Sequence, residues 1–217
     1  MFARQLNVIR SIFFLILFSS VPLSIASSTT DVKALPSAKT PHEVVEQVTH
    51  ELLKTISVHR NSFSENPEAF FDALDILLKD VIDFDWIAYR VMGKYAKKSN
   101  LEQKNRFAYT FRRELIETYG RGLLSYGEQS IVVIPSEKDT KGLKSTRVVQ
   151  EIRGPDGVFP LIYSMSLTRS GYWKVTNLVI NGINLGKIFR NQFSQRARKL
   201  GGDIDKIIDT WSSSRSS

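Results

Sequence analysis

Three histidines, two aspartates and a serine are the first side chains to test for chemistry. His42, His50 and His59 fall in or near one predicted helix, at spacings of 8 and 9 residues. Those spacings put them on different helix faces. A metal-binding pair on a helix needs i, i+3 or i, i+4, so the three read as solvated histidines. Asp83 and Asp85 form a D-x-D pair. Metal binding there would need a third oxygen ligand, whereas a helix start, whose dipole favours carboxylates, accounts for both. Ser125, in Gly-Leu-Leu-Ser-Tyr-Gly, lacks the spacing of a nucleophile elbow. The chain has no cysteine, no G-x-x-x-x-G-K-[ST] and no G-x-G-x-x-G. Thiol nucleophiles and nucleotide phosphate loops therefore have no support. No catalytic residue, metal or cofactor is assigned, and nothing forces an enzyme.

What remains is apolar surface and a basic edge. The 217 residues suffice for one medium domain. Residues 1–10 carry Arg4 and Arg10 and no acid, residues 12–18 are an unbroken apolar run, and Ser24 and Ala26 are small. That order is expected of a secretory signal cut after Ala26. The run is too short for a stable membrane span. A bacterial periplasm suits a chain that must fold on its apolar core without disulfides. The net charge is +8; without Arg4 and Arg10, 28 basic residues stand against 22 acidic ones, a net +6. Export argues against nucleic acid and leaves lipid head groups or acidic protein faces as the polyanions to meet.

The elements follow from punctuation and periodicity. Residues 27–40 read as a flexible leader and residues 212–217 as a frayed tail, around one domain at 41–211. Thr40-Pro41-His42-Glu43 opens a helix with Val44, Val48, Leu52 and Ile56 at helical spacing. Asn66-Pro67-Glu68 opens a second, burying Phe70, Phe71, Leu74, Leu77 and Leu78. A third piece covers residues 83–95, with Gly93 near its end. Ser99 to Glu102 reads as the capping box of a long helix over residues 100–126, whose row Phe107, Phe111, Leu115, Tyr119 repeats at i, i+4. After Gly127 come four strand-like segments, at residues 128–135, 144–152, 158–167 and 172–180. Gly154 to Gly157 and Ser170-Gly171 are hairpin turns, and Asn181-Gly182 ends the sheet. Helices over residues 185–199 and 203–211 close the chain. The expected fold is α+β: a curved four-stranded antiparallel sheet, a cone of the NTF2-like kind, covered on one face by the N- and C-terminal helices with a deep apolar pocket between.

Two stretches resemble a known family. Gly93-Lys94-Tyr95, Gln103, Phe107, Phe111-Arg112 and Thr118-Tyr119 stand where the MlaC family, also called toluene-tolerance proteins, carries its signature. Trp173-Lys174-Val175, Gly182, Asn184 and Arg190 to Phe193 match its C-terminal half. The likeness runs from about Val44 to Ile208. Asn177 departs from the usual acidic residue and Asn184 from the usual serine. The resemblance implies a periplasmic carrier that holds phospholipid acyl chains in its pocket and leaves the head group outside. It also implies shuttling between an outer-membrane lipoprotein–porin complex and an inner-membrane ABC transporter complex with its periplasmic lipid-binding subunit, which maintains outer-membrane lipid asymmetry. Phospholipid is then cargo, not cofactor.

On that reading the expected lining is Trp86, Val91, Met92, Phe107, Phe111, Leu115, Tyr119, Val132, Val148, Tyr163, Met165, Val175 and Phe189. Simple alternation puts Trp173, Val175, Asn177 and Val179 on one side of the last strand. Lys187, Arg190, Arg196 and Arg198, in a helix with no acid between Asn184 and Gly202, are the expected head-group or docking residues. Two alternatives stand beside this. One is a small-substrate enzyme on a similar scaffold using Tyr163 and Asp85. The other is an envelope adaptor with a filled core that binds no lipid.

Overall fold

The computed structural model describes residues 40–127, 129–136 and 142–211. The signal expected at 1–26, the rest of the leader through residue 39 and the tail at 212–217 lie outside the described residues. Among the described residues four α-helices precede an antiparallel sheet and two follow it.

Helix α1, Pro41–His59, opens on a reciprocal cap. The Thr40 hydroxyl accepts from the Glu43 N–H at 3.2 Å, and the Thr40 N–H donates to the Glu43 carboxylate at 2.8 Å. Asn66 caps α2, Pro67–Lys79, and Asp83 caps α3, Phe84–Met92, by accepting from the Trp86 N–H at 3.0 Å. Asp83 and Asp85 therefore serve a helix start. Helix α3 stops three residues short of the expected Tyr95. Gly93 takes φ 58°, and Gly93–Lys97 forms a 3-10 turn instead. Helix α4, Leu101–Leu123, is capped by Asn100 paired with Gln103, one residue later than the expected Ser99 box.

Among the described residues the sheet has five strands, not four: β1 Ser130–Val133, β2 Ser145–Gly154, β3 Gly157–Leu167, β4 Trp173–Ile180 and β5 Ile183–Asn184, hydrogen-bonded in that order. Asn181 and Gly182 both take positive φ, 47° and 79°, the requirement of a two-residue hairpin turn. The chain so reverses into β5 instead of leaving the sheet. The outer edge of β4 is covered twice. At its start the Val175 N–H donates to the Val81 carbonyl at 2.8 Å and the Asp83 N–H to the Val175 carbonyl at 2.9 Å. At its end Val179 and Ile180 pair with β5.

The alternation expected for β4 breaks in the middle. Met165 opposes Val175 but Ser164 opposes Asn177, so Thr176 is an extra, bulged residue whose hydroxyl donates to the Ser164 carbonyl at 3.1 Å. Beyond the bulge the faces exchange. Trp173 and Val175 share the inner face with Leu178 and Ile180, while Asn177 and Val179 point out. Asn177 there accepts from the Gly186 N–H at 3.2 Å, next to Asn184, which accepts from Lys187 N–H at 3.0 Å. Helix α5, Leu185–Lys199, thus starts on two asparagine side chains. A Cβ on Gly186 would lie 2.5 Å from the Asn177 oxygen, so a larger residue there would push the Asn177 side chain aside.

Apolar packing divides into three clusters. Helices α3, α4, α5 and α6 (Ile204–Asp209) enclose an aromatic core of Phe107, Phe111, Phe189, Phe193 and Trp211. Helix α1 and Val81 cover the inner sheet face through Val45, Val148, Met165, Trp173 and Val175. Ile56, Phe70, Phe71, Leu74 and Ile116 join α1, α2 and α4. Among the described residues no helix is long and apolar enough to cross a membrane.

Candidate apolar binding site

The inner sheet face changes character along its length. At one end Val148, Met165, Trp173 and Val175 are buried under α1. At the other end Ile131, Ile152, Phe159, Leu178, Ile180 and Ile183 stay half-buried, although register puts all six on the same face. A closed core would not leave six large apolar side chains partly accessible on its inner side.

The helix row shows the same gradient. Phe107 and Phe111 are fully buried, 5.7 Å apart between ring centroids, while Leu115 and Tyr119 further along α4 are half-buried. Connectivity brings the two open ends together. The C-terminal end of α4 leads into the start of β1, and β5 runs directly into α5, both at the open end of the sheet. Tyr119 meets Phe189 of α5 edge-on at 6.4 Å. Burial, and secondarily the Glu114 carboxylate, pushes the Tyr119 phenol above its ordinary pKa. Leu115, Tyr119, Leu185 and Ile188 are the half-buried helical residues at this end.

One polar chain crosses the apolar sheet face. The Tyr163 hydroxyl donates to Gln150 at 2.8 Å, the Gln150 amide donates to the Thr49 hydroxyl at 2.8 Å, and Thr49 donates to the Val45 carbonyl at 2.7 Å. Each member is satisfied, so the chain joins α1 to the sheet without an orphaned buried group. Burial raises the Tyr163 pKa, which keeps the phenol neutral as a donor. Asp85 lies exposed in the first turn of α3, and no hydrogen bond joins it to Tyr163 among the described residues. The proton-transfer pair of the enzyme reading is not brought together. Among the described residues no group of three or more His, Cys, Asp or Glu could hold a metal ion.

The expected lining residues do not form one wall. Val91, Met92, Phe107, Phe111 and Phe189 sit in the aromatic helix core, and Val148, Met165 and Val175 in the sheet core. Leu115, Tyr119 and Tyr163 lie partly buried beside them. Two placements need correction. Trp86 is 46% exposed, on the side of α3 opposite Ala88 and Val91. Val132 opposes Glu151 on the outer sheet face, because Val133 and Ile131 take the inner positions. The open-end residues Ile131, Ile152 and Phe159 lie on the same alternation as Val133, Val148 and Tyr163, which was the available signal. Leu178 and Ile180 were hidden by the bulge.

The basic residues of α5 also separate. Lys187 and Arg190 are exposed near its N-terminal end, with the Arg190 guanidinium 3.2 Å from where a Gly93 Cβ would stand. Arg198 is exposed about 16 Å further along the axis from Lys187. Arg196 is not a docking group. Its guanidinium lies 4.6 Å over the Trp211 ring, donates to the Trp211 carbonyl at 3.0 Å, and is lowered in pKa by burial. Arg196→Glu is expected to cost about 2–3 kcal/mol through loss of this charged hydrogen bond. A urea titration checks it; an unchanged midpoint would return Arg196 to the surface.

Comparisons with known proteins agree on one family. The family model described as MlaC protein matches residues 46–213. The toluene tolerance protein ttg2D of Pseudomonas putida is 41% identical over 177 residues, 81% of each chain. The intermembrane phospholipid transport system binding protein MlaC of Haemophilus influenzae is 24% identical over 148 residues, 67% of this chain and 69% of its own. In fold, the chain resembles the phospholipid-binding protein of Ralstonia solanacearum, solved in complex with a phospholipid, with a TM-score of 0.68 at 22% identity over 78% of this chain and 97% of the other. The chain belongs to the MlaC family.

Proposed function

We propose that this protein is a periplasmic phospholipid carrier. The observation that carries the reading is the half-open apolar end between the inner sheet face and the ends of α4 and α5. Such a space would suit acyl chains: apolar residues on the sheet and helix sides, half-accessible at one end, with packed core at the other. Burying a methylene is worth about 0.8 kcal/mol, so one long acyl chain gains on the order of 10 kcal/mol. Relatives named for phospholipid transport and phospholipid binding support the cargo. Leu115, Tyr119 and Tyr163 would border the chains, with Phe111, Phe189 and Val148 backing them. Lys187 and Arg190 would meet the phosphate or an acidic partner. The sheet would wrap its helices as a cone of the NTF2-like kind, within one domain at 41–211.

Retention this strong means that release needs an equally apolar receiver or work done by a partner. Residues 1–26 would act as the cleaved export signal. The carrier would pass lipid between the outer-membrane lipoprotein–porin complex and the inner-membrane ABC transporter complex and so maintain lipid asymmetry. The carriage itself uses no catalytic side chain, cofactor or metal. Native mass spectrometry of the protein purified from bacterial envelope tests the reading. Near-stoichiometric phospholipid is expected; protein that is lipid-free and refuses added phospholipid would overturn it.

A further inference from the structure

The outer side of α3 carries a patch that, apart from the neighbouring Arg190, the proposed carrier site does not use. Trp86 and Tyr89 are 46% and 41% exposed and stack at 6.3 Å with ring planes 20° apart. The Arg90 guanidinium lies over Trp86 at 5.7 Å. Lys94 follows in the 3-10 turn, and Arg190 of α5 is brought alongside by its close approach to Gly93. Arg90, Lys94 and Arg190 are all exposed, and none is ion-paired among the described residues. The neighbouring acid is Asp85, one position before Trp86.

We propose that this α3–α5 face binds the surface of an anionic phospholipid bilayer. The charge is complementary: Arg90 lies over Trp86, while Lys94 and Arg190 lie by the C-terminal end of the same helix, and none of the three has an ion-pair partner among the described residues. The exposed large apolar residues of α3 are Trp and Tyr alone, the two side chains that favour the head-group level of a membrane. Exposed cations beside them meet lipid phosphates and add attraction that falls with salt. A protein partner is the other occupant to test, because Trp, Tyr and Arg also anchor protein interfaces; the cluster of cations without ion-pair partners favours the anionic bilayer. The inference stands on this face alone and does not depend on what the interior carries.

The tryptophans supply the probe. Trp173 and Trp211 are 6% and 4% exposed, so a change of environment on binding falls on Trp86. The mature protein is mixed with vesicles of phosphatidylglycerol and phosphatidylcholine, and separately with phosphatidylcholine alone, then floated on a density gradient. Co-flotation with the anionic vesicles only, reversed by high salt and accompanied by a blue shift of tryptophan emission, is the expected result. Arg90→Glu with Lys94→Glu, and separately Trp86→Ala with Tyr89→Ala, should each weaken flotation on the order of tenfold. Native mass spectrometry should show their lipid cargo unchanged, which separates this face from the carrier site. Absence of flotation, equal flotation with neutral vesicles, or undiminished flotation of both variants would overturn the proposal. So would variants that fail only in the presence of a protein partner, which would assign the face to protein docking.

Discussion

Phe111→Ala is expected to destabilise the protein by about 3–5 kcal/mol. For a chain of this size that is a fall in melting temperature of about 6–20 °C. Phe111 is fully buried and touches aromatic rings on three sides: Phe107 at 5.7 Å, Phe189 at 5.3 Å and Trp211 at 6.1 Å between centroids. The rings come from α4, α5 and the segment after α6, so truncation opens a void that backbone shifts in one helix cannot fill. Phe111→Asp adds an unpaired carboxylate in the same place and should prevent folding outright. Thermal melts followed by circular dichroism decide the matter. A loss below about 1 kcal/mol would mean that Phe111 faces open space, and the boundary between core and site would move toward α3. Leu115 and Tyr119, on the same row, should tolerate truncation better, because they are already half accessible.

This row shows what sequence patterning can and cannot separate. The i, i+4 spacing identified Phe107, Phe111, Leu115 and Tyr119 as one apolar stripe, and the structure has them on one stripe. Periodicity says which side faces inward; it does not say where along the helix packing stops. That point depends on α5 and α6, which join from the far end of the chain, so Phe193 and Trp211 decide that Phe107 and Phe111 are core. Helix starts were legible because caps are local: Thr40 with Glu43, Asn66 and Asp83 each act within four residues. The bulge at Thr176 was not legible, since it follows from pairing with β3 and from the two edges that clasp β4 at different depths. Arg196 was misread for a similar reason. It stands in a run rich in arginine, lysine and glutamine, and the ring it covers lies fifteen residues on.

Leu178→Asp is expected to abolish phospholipid retention in a protein that still folds, whereas Val179→Asp should leave retention intact. The two positions are adjacent, both half-buried and both near the end of β4. The bulge alone sends them to opposite faces: Leu178 opposes Tyr163 on the inner face, and Val179 opposes Ile162 on the outer one. A carboxylate at 178 is close enough to the open end to keep some water, so the fold survives. It would nevertheless stand where acyl methylenes lie, and an unpaired charge against hydrocarbon costs at least about 3 kcal/mol. Affinity would fall on the order of a hundredfold, enough to strip lipid during purification. At 179 the same carboxylate lies on the outer face, half-accessible and beside the N-terminal end of α5, where the helix dipole tolerates negative charge. Bound lipid by native mass spectrometry and folding by circular dichroism are read on both variants. Had the strand alternated without a bulge, the outcomes would exchange, with Val179→Asp losing the lipid. Retention in both variants would mean that the acyl chains lie elsewhere than against the open end of the sheet.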